Sequence, residues 1–269
     1  MDYLKLTFSE VDGPLQEMLV AQLSEANFMG FEQKENHLLA YAEHGEVDSA
    51  RYDLLLEKYK GTKETIPEVN WNEKWERDFT PIIIEKQVAI RAHFHEPIPS
   101  VEHEIIVTPK MSFGTGHHAT TQLMLEQMGT LDLKGKTILD YGTGTGVLAI
   151  YAEMLGAHKV IANDIDPWSE VNAIENAQRN NCKNIDVRLG GLDVAGEGPF
   201  DGILANINLN VLRDSMPQLI AMLTKGGFGL ILSGVLRNNK ADIINIIELY
   251  SADYQVFEKD QWLCIHLKM

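Results

Sequence analysis

Apolar and polar positions alternate from the start of the chain. Tyr3 to Ser9 reads Y-L-K-L-T-F-S, the period-two signature of a strand. Pro14 to Ala26 carries Leu15, Met18, Leu19 and Leu23 at helical spacing, and Pro14 stands where a first helical turn tolerates it. Phe28 to Glu43 reads as two strands around the polar break Lys34-Glu35-Asn36. Val47 to Tyr59 is helical, with Leu54, Leu55 and Tyr59 on one side, and Gly61 ends it. The order β-α-β-β-α predicts a small α+β domain of the split βαβ type over residues 1–60.

Thr62 to Asn70 is polar, with Pro67 and Glu68, and predicts the start of a linker over residues 61–79. Trp71 and Trp75, four apart, share a helix face and are expected to pin that linker to a larger domain, residues 80–269. Pro81 to Phe94 and Glu104 to Val107 read as strands. A glycine-rich loop, Pro109 to Thr121, then runs into an amphipathic helix with Leu123, Met124, Leu125 and Met128. From Thr137 onward strand and helix patterns alternate. Helices are expected over Val147 to Leu155, Pro167 to Asn180, Asn210 to Leu223 and Asn238 to Tyr250. Strands are expected over Thr137 to Asp140, Lys159 to Ala162, Val187 to Leu189, Phe200 to Ile207 and Phe228 to Leu232. Such alternation means a parallel sheet. Tyr254 to Glu258 and Trp262 to Leu267 are spaced closely enough to add an antiparallel pair at the end.

Composition narrows the class. The 269 residues, 45% of them hydrophobic, suit one large domain and one small one. No apolar run approaches a membrane span and no N-terminal signal is visible, so a cytoplasmic protein is expected. Cys182 and Cys264 are the two cysteines, with no C-x-x-C pattern, which argues against a disulfide framework or a structural zinc site. A net charge of −16 argues against tight binding to duplex nucleic acid through a basic face. His93-Phe94-His95 puts two imidazoles on one predicted strand face, near His117 and His118 in the chain. Two ligands on a strand do not make a metal site, and no acid or cysteine completes one.

The chemistry concentrates between Thr137 and Asp166. A short apolar run ends in Asp140, glycines follow at Gly142, Gly144 and Gly146, a helix follows them, and a second run ends in Asp164. This is one βαβ unit with a nucleotide-like ligand expected at its first turn. The glycines allow close backbone approach, and the helix start favours an anionic group. A carboxylate at Asp164 suits both hydroxyls of a ribose. A dinucleotide is one candidate ligand, but its fingerprint wants a small residue where Val147 stands.

The pattern D-x-G-x-G-x-G, Asp140 to Gly146, instead resembles motif I of the class I S-adenosylmethionine-dependent methyltransferases. Two further stretches sharpen the resemblance: F-G-T-G-H-H-A-T-T, Phe113 to Thr121, and L-A-N-I, Leu204 to Ile207. Together with N-D-I-D-P they resemble the bacterial methyltransferase family of ribosomal protein L-eleven. Thr143 stands where that family often has cysteine, and Ala119 where it often has proline; neither removes a group with an obvious chemical role. The resemblance implies a Rossmann-like α/β fold with a terminal antiparallel hairpin behind a small substrate-recognition domain. It implies S-adenosyl-L-methionine as cofactor, held by Phe113, Gly114, Thr121, Asp140, Gly142, Gly144, Asp164 and Asn206. It implies methyl transfer to lysine and N-terminal amines of ribosomal protein L-eleven, free or on the ribosome. Asn206 is then the catalytic residue, accepting an N–H through its side-chain oxygen, with the carbonyl of Ile207 as a second acceptor. The Phe113 to Thr121 loop is expected to fold over the cofactor. No metal, membrane or sequence-specific nucleic acid enters this reading, and a monomer is the working expectation. The rivals are a nucleotide-dependent oxidoreductase, a methyltransferase of another protein, small molecule or nucleic acid, and a binding module that keeps the fold without catalysis.

Overall fold

The computed structural model describes residues 3–43, 45, 47–66, 79–108, 114–251 and 253–269. The chain divides into two compact units, Met1–Asp78 and Phe79–Met269.

The first unit is built from β1 (Tyr3–Ser9), α1 (Gly13–Ser24), β2 (Gly30–Lys34), β3 (His37–Glu43), α2 (Ser49–Tyr59) and β4 (Thr62–Ile66). Its sheet has the order β2-β3-β1-β4, and β1 pairs antiparallel with both β3 and β4. Alternation along β1 sends Leu4, Leu6 and Phe8 into a core with Leu19, Leu23, Leu38, Ala40, Tyr52 and Leu56. Two expectations are corrected here. Thr62–Ile66, expected as linker, is the last strand of the split βαβ order. Its polar residues face out from an edge strand, where Lys5 Nζ meets Glu64 Oε2 across the pair at 3.3 Å. Polarity therefore reads as a linker although Thr and Ile favour extended backbone. Helix α2 buries Tyr52 and Leu56, with Leu55 and Tyr59 partly covered, while Leu54 points outward. The predicted position of Trp71 and Trp75 lies outside the described residues.

The second unit opens with β5 (Ile82–Ile84), β6 (Val88–Ala92) and β7 (His103–Val107), a small sheet of that order. His93, Phe94 and His95 form the turn after β6 and not a strand face. His95 Nδ1 folds back to accept the Ala92 N–H at 3.2 Å. Next come α3 (Ala119–Met128), β8 (Thr137–Tyr141), α4 (Val147–Met154), β9 (Lys159–Asp164), α5 (Pro167–Arg179), β10 (Ile185–Leu189), the short α6 (Leu192–Ala195) and β11 (Gly202–Asn206). The unit ends with α7 (Leu209–Ala221), β12 (Gly229–Leu236), a 3-10 turn (Arg237–Asn239), α8 (Lys240–Ile247), β13 (Tyr254–Lys259) and β14 (Trp262–Leu267).

These strands make a seven-stranded sheet of order β10-β9-β8-β11-β12-β14-β13. β8 to β12 run parallel, and β14 is antiparallel to both β12 and β13, as expected of the terminal pair. The central strands read as continuous apolar runs because both faces are covered. Ile138, Val160, Ala162 and Leu204 face α3 and α4, while Leu139, Ile161, Ile203 and Ala205 face α7 and α8. The chain leaves β8 toward β9 and β10, then returns to place β11 on the other side of β8. A crevice opens where the strand order reverses, at the carboxyl ends of the strands. Among the described residues no helix is long and apolar enough to cross a membrane.

Candidate functional site

A cavity of about 480 Å³ occupies that crevice. Its wall takes Tyr141 and Gly142 from the end of β8, Gly144 from the turn, Asp164 from the end of β9 and Asn206 from the end of β11. The volume falls in the range of small-molecule and cofactor sites.

The turn needs its glycines. Gly142, Gly144 and Gly146 hold φ of 76°, 55° and 81°, left-handed values that favour glycine. A Cβ on Gly142 would stand 2.4 Å from Ile207 Cγ2, so a side chain there would push away the segment carrying Asn206. Helix α4 starts at Gly146, an N-cap with no side chain to bond the first turn, so its positive end is directed at the turn.

Asp140 lies beneath this turn, 0% exposed and behind the cavity wall. Its Oδ2 accepts the Thr143 hydroxyl at 2.6 Å, and the Ala149 N–H at the start of α4 also bonds its carboxylate. Its Oδ1 has no partner in the protein. Burial pushes its pKa up to about 7; the Thr143 and Ala149 bonds oppose that rise, and the nearby Asp164 charge adds to it.

Asp164 lines the cavity with both oxygens anchored. Oδ2 accepts Gly144 N at 2.9 Å and Oδ1 accepts Asp166 N at 3.0 Å. Each carboxylate oxygen retains acceptor capacity, which suits two ribose hydroxyls. Asn206 Nδ2 donates to Thr121 Oγ1 at 3.4 Å, and its Oδ1 is buried without a protein partner. Asn206 thus lines the cavity and carries an unpartnered acceptor at the strand tip.

The remaining predicted residues fall around this centre. Thr121 is buried behind the wall as the partner of Asn206, and Thr120 is the residue of that pair that lines the cavity. The helix α3 they begin is capped by His118, whose Nδ1 accepts the Thr120 N–H. Gly114 O accepts Thr145 Oγ1 at 2.8 Å, tying the loop to the glycine turn without lining the cavity. Phe113 lies outside the described residues. His118 and Trp262 meet edge to face, centroids 4.7 Å apart, and both line the cavity. Among the described residues no group of three or more His, Cys, Asp or Glu is placed to hold a metal ion.

Several wall residues were not singled out from the sequence: Ile165, Ser169, Gly190, Gly234 and Trp262. Gly234 lies beyond the strand expected over Phe228 to Leu232, but β12 runs on to Leu236, and an isolated glycine inside a strand marks a bulge or a close approach. It sits at a register break between Ser233 and Val235, at φ 88°, and its Cβ would stand 2.2 Å from Ile207 O. Trp262 had no such signal, because β14 reaches the site through the antiparallel pairing.

The orphaned acceptor of Asn206, the glycine cradle and the anchored Asp164 fit a ligand with an amino-acid end and a ribose. S-Adenosylmethionine has both. The comparisons with known proteins point to a methyltransferase. A ribosomal protein L11 methyltransferase of Porphyromonas gingivalis is 43% identical over 227 residues, covering 81% of this chain and 78% of that protein. One of Bacteroides fragilis is 34% identical over 277 residues, covering 98% and 99%. The crystal structure of the ribosomal protein L11 methylase of Lactobacillus delbrueckii subsp. bulgaricus superposes with a TM-score of 0.63 at 31% identity, covering 71% of this chain and all of that one. The family described as "Ribosomal protein L11 methyltransferase (PrmA)" matches residues 14–269, nearly the whole length, and the chain belongs to that family.

Proposed function

We infer that this chain transfers methyl groups from S-adenosylmethionine to lysine and N-terminal amino groups of ribosomal protein L11, in the cytoplasm. The observation that carries the reading is Asn206: an unpartnered acceptor at the tip of β11, sharing one cavity with the glycine turn and Asp164.

When bound, the cofactor supplies a sulfonium-linked methyl group that needs no covalent enzyme intermediate. The protein's task is positioning, which contributes up to ~7–11 kcal/mol in favourable systems. Asp164 holds the ribose. The turn and the start of α4 would receive the amino-acid end, and Asp140, behind the wall, braces that turn through Thr143. The target amine must arrive neutral, although a free lysine has a pKa of about 10.4. A mouth walled by Ile207, Val211 and Trp262 disfavours the charged form by desolvation. Asn206 Oδ1 then accepts one N–H and turns the nitrogen lone pair toward the methyl group. Helix α3 supports this by holding Thr121 against Asn206 Nδ2, which leaves the amide oxygen unpartnered. The acidic first unit, which has its own core and contributes no cavity residue among those described, recognises the protein substrate.

The test is mass spectrometry of purified L11 incubated with the chain and S-adenosylmethionine. Fragment masses should place new methyl groups on lysine side chains and the N-terminal amine. Methylation confined to other residue types would overturn the amine assignment.

A further inference from the structure

The glycine turn carries two threonines, and their hydroxyls go to different places. Thr143 Oγ1 donates to Asp140, while Thr145 Oγ1 donates across to the loop, to Gly114 O at 2.8 Å. Thr145 is 0% exposed and does not line the cavity. It is also held from behind. Its main-chain oxygen accepts Asn176 Nδ2 at 2.8 Å, and Asn176 Oδ1 accepts the N–H of Thr108, just past β7, at 2.8 Å. Asn176 is itself buried, and its Nδ2 also reaches Asn172 Oδ1 at 3.2 Å, so both ends of its amide are engaged. Thr145 is therefore a fixed post, and the loop that leads into α3 is tied to it.

The loop is built to pivot. Gly114 and Gly116 stand at φ 102° and 92°, values that glycine adopts freely. A Cβ on Gly114 would stand 3.0 Å from Thr145 Oγ1, so the close approach to the turn depends on that glycine. Past Gly116 the same loop delivers His118 and Thr120 to the cavity wall and Thr121 to Asn206 Nδ2. A wall of this kind has to move aside for a spent cofactor to leave. Moving it breaks the bond to Gly114 O and leaves the Thr145 hydroxyl without that partner, which costs free energy.

We propose that Thr145 is a positioning residue for methyl transfer: its hydroxyl latches the loop at Gly114 to the glycine turn and so sets how fast S-adenosylhomocysteine is released. The proposal rests on the S-adenosylmethionine reading, and its test separates the two.

The full chain is immobilised and its association with and dissociation from S-adenosylhomocysteine are followed by surface plasmon resonance, beside a thermal melt without ligand. Thr145→Val keeps the shape and removes the hydroxyl. It should release the ligand about tenfold faster, with an association rate within about threefold of wild type. Thr145→Ser keeps the hydroxyl and should release within about threefold of wild type. Gly114→Ala crowds the same bond from the loop side and should release about as fast as Thr145→Val. Combining the two should add less than a further threefold, because both break one latch. A folded Thr145→Val that releases at the wild-type rate overturns the proposal, even if its melting temperature falls. Equal acceleration in Thr145→Ser and Thr145→Val overturns it too, because the hydroxyl is then not the operative group. If Thr145→Val does not fold, Gly114→Ala decides alone: a wild-type release rate overturns the latch. A wild type that binds no S-adenosylhomocysteine overturns the cofactor reading itself and the proposal with it.

Discussion

Asp140 is a carboxylate held where its charge is unwelcome. Its folded pKa is raised to about 7 from an ordinary 3.8, chiefly by burial. The folded protein thus favours the protonated acid. The contribution to stability is fully present below the unfolded value, near pH 4. It declines as pH rises and is lost above about 7. Asp140→Asn keeps an acceptor for Thr143 and removes the titration. Its melting temperature should gain on the wild type as pH is raised from 5 to 8, a comparison scanning calorimetry makes directly. A constant difference across that range would show that Asp140 does not titrate there. Asp164, by contrast, is partly exposed and lines the cavity. Asp164→Ala should raise the dissociation constant of S-adenosylhomocysteine by roughly tenfold or more, ~1.4 kcal/mol, in a protein that still folds. Unchanged affinity by calorimetric titration would remove Asp164 from the ribose site.

At the scale of elements, the site depends on how closely two loops approach. Ile207 carries on from Asn206 at the end of β11, and Gly234 makes room for its carbonyl in the bulge of β12. Gly234→Ala adds a Cβ at a left-handed φ and against a backbone oxygen, so the segment bearing Asn206 must shift. Positioning errors of this kind are expensive in rate, so methyl transfer should fall by on the order of a hundredfold. The melting temperature should fall by only a few degrees. Wild-type turnover in a folded Gly234→Ala would show that the close approach is not needed. The same pair shows what a sequence conveys. β8, β9 and β11 were legible because they are apolar runs, and the turn was legible because three glycines and two acids sit at fixed spacing. Asn206 was legible through the resemblance of L-A-N-I. Asn163 was hidden inside K-V-I-A-N-D, since the two carbonyls its buried amide bonds, Gly190 O and Gly191 O, lie 27 and 28 residues away. β4 was hidden by its polarity, because an edge strand exposes most of its side chains and resembles a linker. His95 was misplaced because the chain turns directly after Ala92, a fold-back held by a local side-chain bond.

For the whole molecule, each unit carries its own buried core, and among the described residues the cavity is lined by the second unit alone. Residues 79–269 expressed alone should therefore bind S-adenosylhomocysteine as the full chain does, yet fail to methylate L11. Full methylation by the shortened protein would place substrate recognition within the catalytic unit. The central claim is narrower: a cofactor held at the β8 and β9 tips is brought to an amine that Asn206 orients. The measurement that reaches it is the intact mass of purified L11 after timed incubation with S-adenosylmethionine and either wild type or Asn206→Ala. The wild type should add methyl increments. Asn206→Ala should add them on the order of a hundredfold more slowly while binding S-adenosylhomocysteine within about threefold of wild type. No mass gain with the wild type, or an undiminished rate in Asn206→Ala, would contradict the account.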